Sequence, residues 1–142
     1  MKKFTRKVGL LAALILLCMA FSACGKTGNV KIDYGKSKIY SEADRESAVR
    51  VIEKDVRSWK GQCELYNLRY AGDDCNSAEN VKWMNDLAEG QGVNEKFTEC
   101  ISFKGDYYAD DGLSRDGRYD DWSWWLARSD GGKWYIMTQG YG

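Results

Sequence analysis

The sequence contains no histidine, and this absence removes several kinds of catalytic and metal site. The common serine and cysteine hydrolases use a histidine to take the proton from their nucleophile, so both classes are excluded. Most zinc sites also use histidine, and Cys63, Cys75 and Cys100 have the spacing of neither a zinc finger nor a zinc ribbon. Histidine-dependent catalysis and most zinc sites are therefore excluded. We predict no catalytic residues, no metal site and no cofactor.

The chain also lacks a phosphate-binding loop and a run of basic residues. The segment GKTG after Cys24 does not have the P-loop spacing. Four of the 21 basic residues and none of the 21 acidic residues precede Cys24, which leaves 17 basic against 21 acidic residues and a net charge of −4. A mildly acidic domain without a basic patch binds nucleic acid poorly, so we predict no nucleic-acid partner.

The N-terminus has the layout of a bacterial lipoprotein signal peptide. A basic head precedes an apolar run from Val8 to Ala20, which is shorter than the roughly 20 residues of a membrane-spanning helix. The segment FSAC then resembles a lipobox, in which small residues precede a cysteine that is lipidated. We predict residues 1–23 as the signal peptide, Cys24 as the lipidated residue and the extracytoplasmic face of the membrane as the location. An uncleaved anchor and plain secretion are the alternatives.

Three cysteines remain in the folded part of the chain. Outside the cytoplasm two of them can pair. We favour a disulfide between Cys75 and Cys100, because a loop cysteine is easily brought within bonding distance of a neighbouring strand. Closing a loop of this length stabilises a fold by about 3 kcal/mol. The alternative is that Cys63, Cys75 and Cys100 are all buried thiols.

Periodicity predicts the order helix, strand, helix and then three strands. Residues 24–38 are rich in glycine and lysine and predict a tether, in which VKIDY is a candidate short edge strand. The clearest helix begins after Ser41, with Asp44 as its capping-box partner, and stops before Gly61. This order predicts one α+β domain over residues 39–142, with a largely antiparallel sheet.

The next two elements follow from alternation and capping residues. A strand is predicted over Cys63–Asp73, and a second helix is capped by Asn76 or Ser77 and ended by Gly90. One side of the strand is predicted to carry Glu64, Tyr66, Leu68 and Tyr70.

The last 24 residues predict a hairpin that holds four tryptophans and three tyrosines. A three-residue loop over residues 130–132, with Gly132 left-handed, places Leu126 opposite Ile136. A two-residue loop would instead oppose Arg128 and Lys133, which repel. In the first register one face carries Trp124, Leu126, Trp134 and Ile136, and the other carries Trp125, Ala127, Tyr135 and Met137.

Both faces of this hairpin are apolar, so both must be covered. One interpretation is intramolecular: a curved sheet wraps around the long helix, and the tether or another strand covers its back. The other is a ligand pocket or partner surface, for which Trp122, Trp125 and Tyr135 are the candidate ligand-binding residues.

Carboxylates supply the remaining candidate chemistry. A solvated acidic loop and a calcium site are both open interpretations of the aspartates between residues 106 and 121. A tyrosine with a nearby aspartate would imitate an isomerase site, and Tyr66, Tyr70 and Tyr108 are the candidate tyrosines. The aspartates concerned are Asp106, Asp110, Asp111, Asp116, Asp120 and Asp121.

Four segments carry a resemblance that covers about residues 37–142: SKIYSEAD, WKGQCELYNLRYAGDD, CISFKGDYYADDG and YDDWSWWLARSDGGKWYIMTQGY. They resemble an uncharacterised domain of Gram-positive lipoproteins, which is similar to a domain appended to membrane metallopeptidases of the beta-lactam-sensor type. The resemblance implies the cone-like α+β fold of nuclear-transport-factor and ketosteroid-isomerase relatives, and it brings no established activity.

The sequence thus predicts a lipid-anchored extracytoplasmic domain with a binding or sensing role and no catalysis. Its partners would be the membrane, through the lipid, and an envelope protein or a small ligand. The alternatives are a small enzyme with a carboxylate and tyrosine site in the cone, and a structural accessory of an envelope complex.

Overall fold

A computed structural model describes residues 25–142 as an α+β domain. The predicted signal peptide, residues 1–23, and the predicted lipidation site Cys24 lie outside the described residues. None of the helices in the described part has the length and hydropathy that crossing a membrane requires.

The described residues form two α-helices and six strands. The helices are α1, Glu42–Ser58, and α2, Ala78–Gly90, with a short 3-10 helix at Asp73–Asn76. The strands are β1, Gly25–Lys26; β2, Lys31–Asp33; β3, Cys63–Tyr70; β4, Glu99–Ala109; β5, Arg118–Arg128; and β6, Tyr135–Gly140.

The sheet is mixed rather than largely antiparallel, which corrects the prediction. Strands β3, β4, β5 and β6 pair antiparallel in that order, but β1 and β2 both pair parallel to β3 and form its outer edge. The reason is the position of α1 between β2 and β3. A crossover helix returns the chain to the same end of the sheet, so the next strand runs parallel to the one before it. The sheet is not closed.

Helix α1 begins at the predicted capping box. The Ser41 hydroxyl accepts from the Asp44 amide at 3.1 Å, and the Asp44 carboxylate accepts from the Ser41 amide at 2.9 Å. These two bonds satisfy donors that the first turn leaves open. The inner face of the helix is fully buried and comprises Ala48, Val49, Ile52 and Val56.

Each face of the sheet is covered by a helix. Trp124, Leu126, Trp134 and Ile136 pack in the core under α1, which confirms the predicted grouping of that face. On the other face, Ala127 and Met137 pack with Met84 and Ala88 of α2. The second apolar face is therefore covered by α2, and not by the tether or another strand as the intramolecular interpretation expected.

Strand β3 does not place Glu64, Tyr66, Leu68 and Tyr70 on one side, so that prediction is wrong. A bulge between Leu65 and Asn67 adds a residue to β3 relative to β4. Such an insertion reverses the alternation of side chains beyond it. The buried positions are consequently Cys63, Leu65 and then Leu68.

The hairpin has the predicted pairing but a different turn. Leu126 lies opposite Ile136, as predicted, and a bulge follows between Leu126 and Trp125. The left-handed residues are Asp130, with φ 46°, and Gly131, with φ 72°, rather than Gly132. Aspartate is among the few residues other than glycine that adopt this conformation. Here Asp130 is held by Thr98, whose hydroxyl donates to its carboxylate at 3.2 Å and accepts from its amide at 2.8 Å.

We expect the stability of the fold to be constant between about pH 6 and 8 and to fall on acidification below about pH 4. Hydrogen bonds from Ser41, and next the Arg128 guanidinium, lower the pKa of Asp44. Burial opposes ionisation of Glu99, but bonds from Arg128 and the Gly131 amide leave its pKa lowered. A carboxyl group whose pKa is lower in the folded than in the unfolded protein stabilises the fold at pH values above its unfolded pKa. This stabilisation is lost as the pH falls through the folded pKa.

Urea unfolding at a series of pH values measures this dependence. Since the chain has no histidine, no side chain with an ordinary pKa titrates between pH 5 and 8. A steep change in unfolding free energy within that interval would contradict the expectation.

Candidate functional site

The strongest candidate site is a shallow, open aromatic cleft of about 330 Å³ beyond the C-terminal end of α1. A second depression, of about 380 Å³, follows the β2–β3 edge, and five of its seven lining residues are polar or charged: Lys31, Asp33, Asn67, Arg69 and Asp106. Ligand sites combine apolar walls with a few convergent polar groups. This composition favours the aromatic cleft over the depression at the β2–β3 edge. The lining of the aromatic cleft comprises Trp59, Lys60, Cys63, Tyr107, Ala109, Asp111, Leu113, Tyr119, Trp122 and Gln139.

The rings of the aromatic cleft hold one another in fixed orientations. Tyr107 and Tyr119 stack in parallel with centroids 4.5 Å apart. Trp122 meets both of them edge-on at 5.6 Å, and Trp59 meets Tyr107 edge-on at 5.0 Å. These are the favoured geometries of aromatic pairs, so the four rings stabilise one another as one packed wall.

Hydrogen bonds fix the two indoles of the wall. The Trp122 Nε1 donates to the Gln139 amide oxygen at 3.3 Å, and the Gln139 amide nitrogen donates to the Asp55 carboxylate at 3.3 Å. The same carboxylate accepts from Trp59 Nε1 at 3.0 Å. Asp55 on α1 therefore couples both tryptophans to one point, and a side-chain network of this kind rigidifies a site.

A carboxylate lies at the mouth of the aromatic cleft. Both oxygens of Asp111 accept from the Tyr119 hydroxyl at 2.8 Å, and one accepts from the Leu113 amide at 2.9 Å. The Leu113 amide and then the Tyr119 hydroxyl lower the pKa of Asp111. Burial, followed by the Asp111 bond, raises the pKa of Tyr119 to about 12. The pair thus holds a fixed negative charge and a protonated phenol near neutral pH, which suits ligand binding better than proton transfer.

The three predicted ligand-binding residues do not come together. Trp122 lines the aromatic cleft, whereas Trp125 packs edge-on against Trp83 of α2 at 5.2 Å. Tyr135 is 44% exposed and lies beside Phe97, also away from the cleft. Trp122 and Trp125 are an odd number of residues apart on β5, which places them on opposite faces when no bulge intervenes.

The sequence interpretation missed the tyrosines of the cleft because a bulge brings them to the tryptophan. Tyr107 pairs with Tyr119 and Gly105 pairs with Trp122, so one residue of β4 opposes two of β5. The extra residue is accommodated by Asp121, which is left-handed at φ 57° and donates its amide to the Asp106 carboxylate at 2.9 Å. Residues 119 and 122 consequently share a face despite their odd spacing.

The other tyrosine candidates serve different structural roles. Tyr70 donates to Asp73 at 2.8 Å, but that carboxylate also accepts from Ser37 and from the Lys38 amide, which joins the segment before α1 to the 3-10 helix. Tyr66 lies under the Arg118 guanidinium, and Tyr108 packs against Gly117. Among residues 25–142, no group of three acidic or cysteine side chains is arranged to hold a metal ion, so the calcium interpretation gains no support.

Cys75 and Cys100 are two buried free thiols in the structure, and the predicted disulfide between them is not formed. Cys75 packs in the core under α1, whereas the Cys100 side chain packs in the core under α2. The Cys75 thiol instead donates to the backbone oxygen of Cys100 at 3.6 Å. The two residues are neighbours, but their side chains pack in two different hydrophobic clusters.

We expect both thiols to resist alkylation in the folded protein. Burial raises the pKa of Cys75, and burial together with the neighbouring Cys75 raises the pKa of Cys100 to about 12. Because only the thiolate reacts, Cys100 at pH 8 should react roughly a thousandfold more slowly than an unperturbed thiol. Peptide mapping after iodoacetamide treatment, with and without urea, measures this. Two cysteine peptides joined under non-reducing conditions would contradict it and support the disulfide.

The aromatic cleft is therefore the part of the described chain that combines a preformed apolar wall with polar groups at its mouth. Its functional interpretation depends on this geometry, because no protein-family model, no curated protein and no solved structure matches the chain.

Proposed function

We propose that the protein is a lipid-anchored extracytoplasmic binding or sensing domain that takes a ligand in the aromatic cleft and catalyses no reaction. The observation that carries the proposal is the fixed wall of Trp59, Tyr107, Tyr119 and Trp122. A site that is ordered before binding loses little conformational freedom when its ligand arrives, which favours affinity.

The groups around the wall indicate an amphipathic ligand. Trp59 and Trp122 are partly exposed and offer apolar area, while Asp111 supplies a negative charge, Lys60 a positive charge and Gln139 an amide at the margin. We propose a small ligand with one apolar or sugar-like face and hydrogen-bonding groups on its other side. The lowered pKa of Asp111 keeps its carboxylate ionised near neutral pH, so groups that donate hydrogen bonds should be preferred there.

For the fold, we propose the cone-like arrangement that the resemblance implies. Its support is the packing of α1 on one face of the sheet and the bulges in the strand pairs β3–β4, β4–β5 and β5–β6. Bulges increase strand twist and bend, which is how a sheet curves around a helix. An experimental structure with a flat sheet would refute this.

A thermal-shift screen tests ligand binding. The panel should contain muropeptides, neutral disaccharides and small amphiphiles, and a ligand present at 100 times its Kd should stabilise the protein by about 2.7 kcal/mol. We expect Trp122→Ala to abolish the shift in melting temperature, because it removes one of the four rings that form the wall of the aromatic cleft. Trp83→Ala is the matched control, since Trp83 is a partly exposed indole on α2. A shift that survives Trp122→Ala would place binding elsewhere.

Cell fractionation tests the lipid anchor. In the full chain, Cys24→Ala should release the protein from the membrane fraction, because the cysteine sulfur is the acceptor of the lipid. Unchanged attachment of this variant would instead support an uncleaved N-terminal anchor.

A further inference from the structure

Strand β1 determines which end of the domain lies next to the proposed lipid. Gly25 pairs with Cys63, the first residue of β3. Cys24 is bonded to Gly25, and consecutive Cα atoms are about 3.8 Å apart. A lipid on Cys24 therefore emerges at the end of the sheet where β3 begins. Strands β1 and β2 lie within the segment predicted as a tether, residues 24–38, and both pair with β3, so little free chain separates the lipid from the domain.

The aromatic cleft lies at this same end. Cys63 and its partner Ala109, where β4 ends, both line it. The opposite end of the domain carries the beginning of α1 and the hairpin turn. The 11 residues of β4 span the distance between the two ends, which is about 33 Å at the usual rise per residue.

Apolar side chains project from the end that carries the lipid. Leu113 is 86% exposed in the loop between β4 and β5, and Tyr141 is 67% exposed and meets Trp122 edge-on at 5.1 Å. The Leu113 amide donates to Asp111, so hydrogen bonding holds the loop that presents this leucine. An exposed leucine beside tyrosine and tryptophan is the composition of surfaces that enter the membrane interface.

We infer that this end of the domain contacts the bilayer, with Leu113 and Tyr141 in the interface and the aromatic cleft opening at the membrane surface. The inference rests on the lipid anchor of the proposed function. Charge does not drive the contact, because the loop over residues 110–117 carries three aspartates, Asp110, Asp111 and Asp116, and one arginine, Arg115. Apolar burial drives it, so insertion occurs in zwitterionic lipid and is insensitive to salt.

The test uses the full-length lipidated protein in phosphatidylcholine vesicles that contain nitroxide-labelled lipid. An NBD fluorophore is attached in the variant Leu113→Cys and, as a matched control, in Ile39→Cys. Ile39 is also an exposed aliphatic residue, 49% accessible, but it lies just before α1 at the opposite end. The parent protein should take up little label, because Cys63, Cys75 and Cys100 are buried.

We expect the label at position 113 to be quenched and blue-shifted, because an inserted residue reaches about 5–10 Å into the headgroup region, and the label at position 39 to be unaffected. Equal quenching at both positions, or none at either, would overturn the inference while leaving the anchor intact. Mass analysis of the N-terminal peptide separates the two failures: an unmodified Cys24 refutes the anchor, and the inference with it. Melting curves of both variants that match the parent exclude misfolding.

Discussion

Replacing Arg128 with methionine should lower the free energy of unfolding by about 3 kcal/mol. The Arg128 side chain is 7% exposed, and its guanidinium bonds Asp44 of α1 at 2.9 Å and Glu99 of β4 at 2.8 and 3.1 Å. It also lies 4.2 Å from the centroid of the Trp134 ring. Methionine fills much of the volume of the arginine but leaves the partly buried carboxylates of Asp44 and Glu99 without their cation. Uncompensated buried charge is what destabilises the variant.

Two variants separate charge from geometry at this position. Arg128→Lys keeps the charge but cannot bond Glu99 with two parallel N–H groups. Its free energy of unfolding should therefore lie between those of the parent and Arg128→Met. Arg118→Met is the matched control, because Arg118 pairs with Asp120 at 3.2 Å with both side chains more than half exposed, and exposed pairs contribute at most about 1 kcal/mol. Urea unfolding measures all three. Similar losses for Arg128→Met and Arg118→Met would mean that burial does not strengthen the Arg128 cluster.

Trp124→Ala should be destabilising by about 3–5 kcal/mol. Trp124 is fully buried under α1, stacks with Trp59 at 6.5 Å and lies 6.1 Å from Tyr107. Removing the indole leaves a cavity next to Trp59 and Tyr107, two of the rings that form the wall of the aromatic cleft. We therefore expect this variant to lose ligand binding as well as stability.

Trp124→Phe separates ring volume from hydrogen bonding. The Trp124 Nε1 has no hydrogen-bond partner among residues 25–142, so phenylalanine forfeits no bond and removes a buried unsatisfied donor. Its loss in unfolding free energy should be less than half that of Trp124→Ala. A loss as large as that of alanine would indicate a partner for the indole nitrogen, such as a buried water molecule.

The local features of the fold follow from short stretches of sequence. The capping box at Ser41 and Asp44 involves residues three apart, and the buried stripe of α1 repeats at helical spacing. The two faces of the final hairpin follow from alternation over a few residues. Each depends on contacts within one element or one turn, which is why the sequence predicts them.

The aromatic cleft depends on contacts between distant segments. The bulge at Asp121 brings Tyr119 and Trp122 to one face, and β4 contributes Tyr107. No residue pattern within β5 indicates where its register to β4 changes. The prediction therefore named Trp122, Trp125 and Tyr135 as candidate ligand-binding residues, but Trp125 packs against Trp83 of α2 and Tyr135 lies beside Phe97.

The α+β class, the capping of α1 and the grouping of the hairpin faces follow from local sequence patterns, and the lack of histidine excludes catalysis that depends on a histidine. Three features depend instead on how distant segments pack: the parallel pairing of β1 and β2 with β3, the covering of the second face by α2, and the positions of the bulges. The physical reason is the two-residue period of a strand: one inserted residue moves every later side chain to the other face. That insertion is selected by pairing with a strand elsewhere in the chain, which local patterns do not encode.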